Sequence, residues 1–196
     1  ERPVPPAIIW TRTLSDARVT ASNALTYGHQ ELAGAQSFAE VPFGGSAAKS
    51  EGAIPWDPST RVEILGAGFA IKGYIDRLDI LDDGKGAIVR DYKTGRAPRS
   101  AIRLNGGKEL QRCLYGFAVK SLLGEDVSIT ASLLYPREDL DLQLDDPDAV
   151  LSEVTGYLVA ARSNLQSGLA IPGPDTGDDY DDLAFALPAN AGPTYC

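Results

Sequence analysis

The chain is 196 residues long, 43% hydrophobic and 23% charged, which is the composition of a globular protein with one sizeable core. No apolar run approaches the roughly 18 to 20 residues that a membrane helix needs, and the first residues lack the segments of a secretory signal, so a cytoplasmic setting is expected. Two cysteines so far apart, Cys113 and Cys196, do not make a disulfide framework, and the absence of any methionine leads us to expect a piece of a larger polypeptide.

The formal net charge of −9 argues at first against a polyanionic partner. The charge is segregated, however. Between Lys85 and Lys120 stand nine basic residues and only two acidic ones, Asp91 and Glu109. One positive face on an acidic body steers a polyanion to one place; a solvated basic helix and loop is the other reading.

In chain order, ERPVPPAIIW is proline-rich and then apolar, so residues 1–13 read as an extended arm. Ser15 to Phe38 is alanine-rich, interrupted by Gly28 and Gly34, and predicts one broken or two short helices. Val41 to Thr60 is rich in glycine, proline and serine and reads as a loop. Arg61–Leu65, Phe69–Leu81 and Gly86–Tyr92 predict an antiparallel meander, with Asp82-Asp83-Gly84 as the turn between the last two. Lys108–Leu123 predicts a helix closed by Gly124, Val127–Tyr135 a strand, and Pro147–Gln166 a helix with Val150, Leu151, Val154, Leu158 and Ala161 on its inner face. Residues 167–196 read as an irregular acidic tail. The whole predicts a single domain of α/β (α+β) class, a mixed central sheet begun by an antiparallel meander and flanked by helices.

The chemistry concentrates between Gly73 and Gly95, in GYIDRLDILDDGKGAIVRDYKTG. Strand periodicity puts Asp91 and Lys93 on one face with Tyr92 on the other. A carboxylate and an ammonium at the end of an apolar strand are costly unless they act together or bind something, and Asp76 on the hairpin partner can reach the same spot. Two carboxylates beside a lysine suit a hard divalent cation such as Mg²⁺ or Mn²⁺, with the lysine stabilising phosphoryl charge. A surface ion pair at a strand end, with Asp76, Arg77 and Asp79 as a solvated cluster, is the alternative.

Gly73-Tyr74-Ile75-Asp76-Arg77-Leu78-Asp79, then Asp91-Tyr92-Lys93-Thr94-Gly95, then Gln111-Arg112-Cys113-Leu114-Tyr115 resemble the successive motifs of the RecB-like branch of the PD-(D/E)XK nuclease superfamily. Glu40-Val41-Pro42-Phe43-Gly44 further resembles AddB-type domains of bacterial helicase–nuclease complexes. The resemblance implies a restriction-endonuclease-like core, and Mg²⁺- or Mn²⁺-dependent cleavage of DNA, exonucleolytic rather than endonucleolytic. It also implies a place in end processing, double-strand break repair and recombination, on DNA with free ends, beside a helicase domain or partner subunit. It makes Asp76, Asp91 and the Tyr92 carbonyl metal ligands, Lys93 the catalytic lysine, and Gln111 and Tyr115 contacts to DNA near the metal. The branch's first-motif histidine has one candidate, His29, and the four-cysteine iron–sulfur cluster of AddB-type domains would have only Cys196 as a ligand, Cys113 reading as a core residue. Arg96, Arg99, Arg103 and Arg112, which follow the catalytic strand, are expected to line the phosphate track. The alternative function is a nuclease-fold module that binds DNA or partner subunits without cutting.

Overall fold

The computed structural model describes residues 6–28, 32–49, 52–98, 103–104 and 109–169. It begins with helix α1, Ala7–Thr26. The expected extended arm is corrected over residues 7–13, residues 1–5 lying outside the described residues: the helix starts directly after Pro6, whose φ of −50° and ψ of 143° make it a helix-capping residue. A proline at a helix start has no N–H to lose, and its carbonyl accepts from Ile9 and Trp10 at 2.9 and 3.0 Å. The alanine-rich segment is one helix, not two, since both glycines lie beyond its end and Gly28 takes a φ of 66°. None of the side chains of α1 is buried; its last turns are tied down by Asn23 Nδ2 donating to Pro136 O at 2.9 Å and by Arg77 donating to Ala24 O at 3.0 Å.

Strand β1, Gln36–Phe43, overlaps what reads locally as helix and loop. Its antiparallel partner decides the matter: β1 pairs with β4, Gly73–Ile80, from Gln36↔Ile80 to Phe43↔Gly73. Cross-strand packing overrides alanine and proline signals, and Pro42 is tolerated because β1 is the edge of its sheet. Gly44 then turns the chain with a φ of 67° where a Cβ would stand 2.1 Å from the Ile71 carbonyl oxygen, so only glycine fits.

The run Phe69–Leu81, which reads as one strand, is two. Strands β2 (Val62–Ile64) and β3 (Phe69–Ile71) form a separate hairpin, and the chain passes at Lys72 into β4 of the main sheet. The glycine that follows allows the switch, since a Cβ on Gly73 would lie 3.1 Å from the Phe43 ring. The meander of the main sheet is therefore β1, β4 and β5, the last being Gly86–Tyr92.

Helix α2, Gln111–Leu123, carries the chain over to β6, Ser128–Tyr135, which lies parallel to β5 from Gly86↔Ser128 to Tyr92↔Leu134. Gly116 lets α2 approach closely, as a Cβ there would meet Ala131 Cβ at 3.2 Å. A short strand missed by period counting, β7 (Leu140–Gln143), adds antiparallel to β6 and completes a five-stranded sheet ordered β1-β4-β5-β6-β7. Helix α3, Pro147–Gln166, opens as predicted, with Asp146 accepting the Ala149 N–H at 3.2 Å. Its Val150 and Val154 are buried with Cys113 and Leu104, Leu151 and Leu158 pack against them, and Ala161 is exposed rather than facing inward. The larger core packs α2 (Ala118, Val119) on the sheet (Leu78, Ala87, Val89, Ala131) and on Val41, Phe43 and Ile75.

Candidate active site

The β4–β5 ladder runs from Ile80↔Ala87 to Arg77↔Arg90 and stops there. Just beyond its open end the Tyr92 N–H is satisfied by a side chain instead of a strand: it donates to Asp76 Oδ2 at 2.9 Å. Ile75 and Leu78 share one core cluster although three residues apart, so the alternation of β4 is broken at Asp76. Opposite that break, Glu40 of β1 carries a φ of 52° and is left out of the β1–β4 pairing. A distorted strand end is how the fold delivers a carboxylate beside Tyr92.

Asp91, next along β5, is 4% exposed. Lys93 approaches its Oδ2 to 2.6 Å and donates to Gln111 Oε1 at 2.5 Å. Gln111 Nε2 in turn lies 3.5 Å from the Tyr115 hydroxyl, and the Tyr115 ring is held edge-on against Phe43 at 5.7 Å. The residues singled out from sequence thus form one connected set: Asp76, Tyr92, Asp91, Lys93, Gln111 and Tyr115. Burial pushes the Asp91 carboxyl above its ordinary pKa; Lys93 opposes the shift, while Asp76 and Glu109 add to it.

The donors suit a hard divalent cation. Asp91 Oδ2 is buried and has the Lys93 ammonium beside it at 2.6 Å. Asp76, Asp91 and the Tyr92 carbonyl offer oxygen only, the set that Mg²⁺ and Mn²⁺ prefer. Among the described residues no third His, Cys, Asp or Glu joins them. His29 lies outside the described residues, as do Arg99 and Cys196.

The four arginines expected on a phosphate track do not share one environment. Arg96 is exposed on the segment after β5, which is anchored where Ala97 N–H donates to Glu138 at 2.9 Å. Arg103 is exposed but paired with Glu153 of α3 at 3.3 Å. Arg112 is corrected: it is 2% exposed, pairs with Glu109 at 2.8 Å and donates to the Leu142 and Gln143 carbonyls at 3.2 Å, pinning α2 to β7 instead of facing solvent. Nothing in the local sequence of α2 signals that its one arginine turns inward. Cys113 is buried in the core against α3, and burial lifts its thiol pKa to about 11.

Asp79 was missed as anything beyond a solvated charge. It is fully buried, and Arg90 (2.7 Å), Arg77 (2.9 Å) and the Ser37 hydroxyl (2.5 Å) all converge on it. The Arg90 guanidinium also stands 5.6 Å from the Tyr27 ring, joining this network to the end of α1. The run of charges in Asp76-Arg77-Leu78-Asp79 therefore divides between a site at the strand end and a structural knot beneath α1.

No curated protein matches the chain. The family comparison does match, over residues 9–175, a span that contains α1 from its third residue, the whole sheet and both later helices. With a five-stranded mixed sheet of restriction-endonuclease-like build, and with the aspartates and lysine at the end of its antiparallel hairpin, the chain belongs to the PD-(D/E)XK nuclease superfamily.

Proposed function

We propose that this domain hydrolyses DNA phosphodiester bonds with Mg²⁺ or Mn²⁺, acting on free ends in DNA repair and recombination as the nuclease module of a larger helicase–nuclease machine. The observation that carries the reading is the convergence of Asp76, Asp91 and Lys93 at the open end of one hairpin. The RecB-like motif order supports the choice of DNA ends as substrate.

When bound at Asp76, Asp91 and the Tyr92 carbonyl, a hard divalent cation supplies Lewis acidity toward the phosphoryl oxygens and activates water. The chain's own residues do the rest. Asp76 accepts the Tyr92 N–H, and the next peptide unit, which carries the Tyr92 carbonyl, is held by the Lys93 N–H donating to Leu134 O at 2.8 Å. Lys93, steadied between Asp91 and Gln111, presents its ammonium to the negative charge that grows on the phosphoryl group. Gln111 and Tyr115, one helical turn apart and linked to each other, orient Lys93 and border the strand being cut. Arg96, exposed just past Lys93, offers a cation to the neighbouring backbone.

Purified protein given end-labelled linear DNA is expected to degrade it only with Mg²⁺ or Mn²⁺ present, and to leave covalently closed circles intact. Calorimetric Mn²⁺ binding should be lost in Asp76→Ala together with cleavage. Equal residual cleavage by wild type and variant would mean a contaminant and defeat the reading. The missing third side-chain ligand among the described residues favours one other reading, a nuclease-fold module that binds DNA or partner subunits without cutting. Salt-sensitive DNA affinity without Mn²⁺ binding would identify it.

A further inference from the structure

A second lysine stands beside the site, on the loop that follows β1. Glu40 occupies the register position opposite Asp76, between the pairs Ala39↔Arg77 and Val41↔Ile75. Lys49 is ion-paired with Glu40, and its ammonium lies 4.0 Å from the centroid of the Tyr74 ring, two residues before Asp76 on β4. The Tyr74 hydroxyl donates to the Ala47 carbonyl at 2.8 Å, so the loop carrying Lys49 is fastened to the strand that carries Asp76. The hydrogen bond with Glu40 first, against some desolvation, and then the charge of the same carboxylate keep the Lys49 ammonium more firmly protonated than usual.

Lys49 and Glu40 are about half exposed, at 52% and 50%, and exposed ion pairs are weak enough to be exchanged for another anion. Every phosphate cleaved in a nucleic acid has phosphate neighbours, and because β1 lies on the far side of β4 from β5, a nucleic-acid strand running from Asp91 across Asp76 would meet β1 next. Resting on the nuclease reading of this site, we infer that Lys49 is a substrate-contacting residue, its ammonium passing from Glu40 to a backbone phosphate next to the scissile one. Lys93 then holds the strand from the β5 side and Lys49 from the β1 side. Glu40 keeps the second cation in place while the site is empty of substrate, and stops it from pairing with Asp76.

The test is fluorescence anisotropy of a labelled duplex, with EDTA present to prevent cleavage, across a series of salt concentrations. Lys49→Ala is expected to weaken binding about 5- to 10-fold and to reduce the slope of log affinity on log salt by about 0.9, the share of one phosphate contact. Lys49→Arg should restore both, and Glu40→Gln should tighten binding by freeing the ammonium. Mn²⁺ affinity should be unchanged in all three. Unchanged affinity and slope in Lys49→Ala, in a wild-type protein that binds and cleaves DNA, would overturn the role of Lys49 alone. Arginine behaving like alanine would also overturn it. A wild type that neither binds nor cleaves DNA would remove the nuclease reading and this inference together.

Discussion

Asp91→Asn is expected to abolish cleavage while making the metal-free protein melt at a higher temperature than wild type. The loss follows from chemistry: a cation held by Asp91 supplies several kcal/mol of stabilisation to the phosphoryl transition state, and each 1.36 kcal/mol is a factor of ten, so kcat should fall by about 10³-fold or more. The gain follows from burial, which raises the Asp91 carboxyl above its ordinary pKa of 3.8. A group whose pKa is raised on folding contributes stability at pH below its unfolded value, and that contribution is lost as the pH climbs through the raised value. At neutral pH the buried, ionised Asp91 is therefore a cost to folding that asparagine avoids. Lys93 is not stranded by the change, because it still donates to Gln111.

Thermal melts at pH 7 in EDTA, and again with excess Mn²⁺, would check both halves. Added metal should raise the wild-type midpoint, by the equivalent of about 2.7 kcal/mol at one hundred times the dissociation constant, and leave the variant where it was. An Asp91→Asn protein that melts well below wild type in EDTA would make Asp91 a structural residue and refute the argument.

Asp79→Ala is expected to be the most destabilising of the substitutions considered, with little effect on turnover per folded molecule. The carboxylate is fully buried, and the side chains it neutralises, Arg90 and Arg77, are 3% and 11% exposed. Removing one partner of a buried pair leaves uncompensated charge, at about 3–5 kcal/mol. For a chain of this size that is a fall of about 10 °C or more in the melting midpoint. Asp79 points away from Asp91, since it shares a sheet face with Arg77 and Arg90 and pairs in register with Ile88. Replacing Asp79 and Arg90 together by leucine and methionine should recover part of the loss, because two apolar groups strand less charge than one orphaned arginine. Urea titration would settle the magnitude; a loss under about 1 kcal/mol would mean that the arginines are satisfied without Asp79.

The site was legible in the sequence because its parts lie on short, strongly patterned segments. Asp91 and Lys93 sit on a strand whose apolar neighbours Ala87 and Val89 fix its face, and Asp76 lies across a turn of unmistakable composition. Gln111 and Tyr115, singled out by motif resemblance and not by their spacing, are neighbours one helical turn apart. What was hidden depends on partners distant in sequence. Strand β1 is made by β4, some forty residues on, and nothing local in an alanine- and proline-bearing segment announces it. The break between β3 and β4 at Lys72 arises because the chain changes sheets, which periodicity cannot register. Arg112 and Asp79 are polar letters that turn inward only because Glu109 with the β7 carbonyls, and Arg77 with Arg90, are waiting there. The second lysine escaped for the same reason: Lys49 sits in a glycine-rich stretch without period and meets the site only through Tyr74 and Glu40.

The hairpin that carries the two aspartates is closed at Leu81–Gly86, where Leu81 and Gly86 share a 2.9 Å hydrogen bond, and it zips from there toward Arg77 and Arg90. Asp76 and Asp91 stand at its free end. They stand like the last teeth of a zipper whose two tapes are held from outside, since β1 pairs with β4 as far as Phe43↔Gly73 and β6 with β5 as far as Tyr92↔Leu134. One peptide amide, that of Tyr92 on Asp76, reports whether the last tooth is engaged. The two candidate ligands are thus joined across the hairpin by one side-chain hydrogen bond, while the strands that carry them are each held by an outer neighbour.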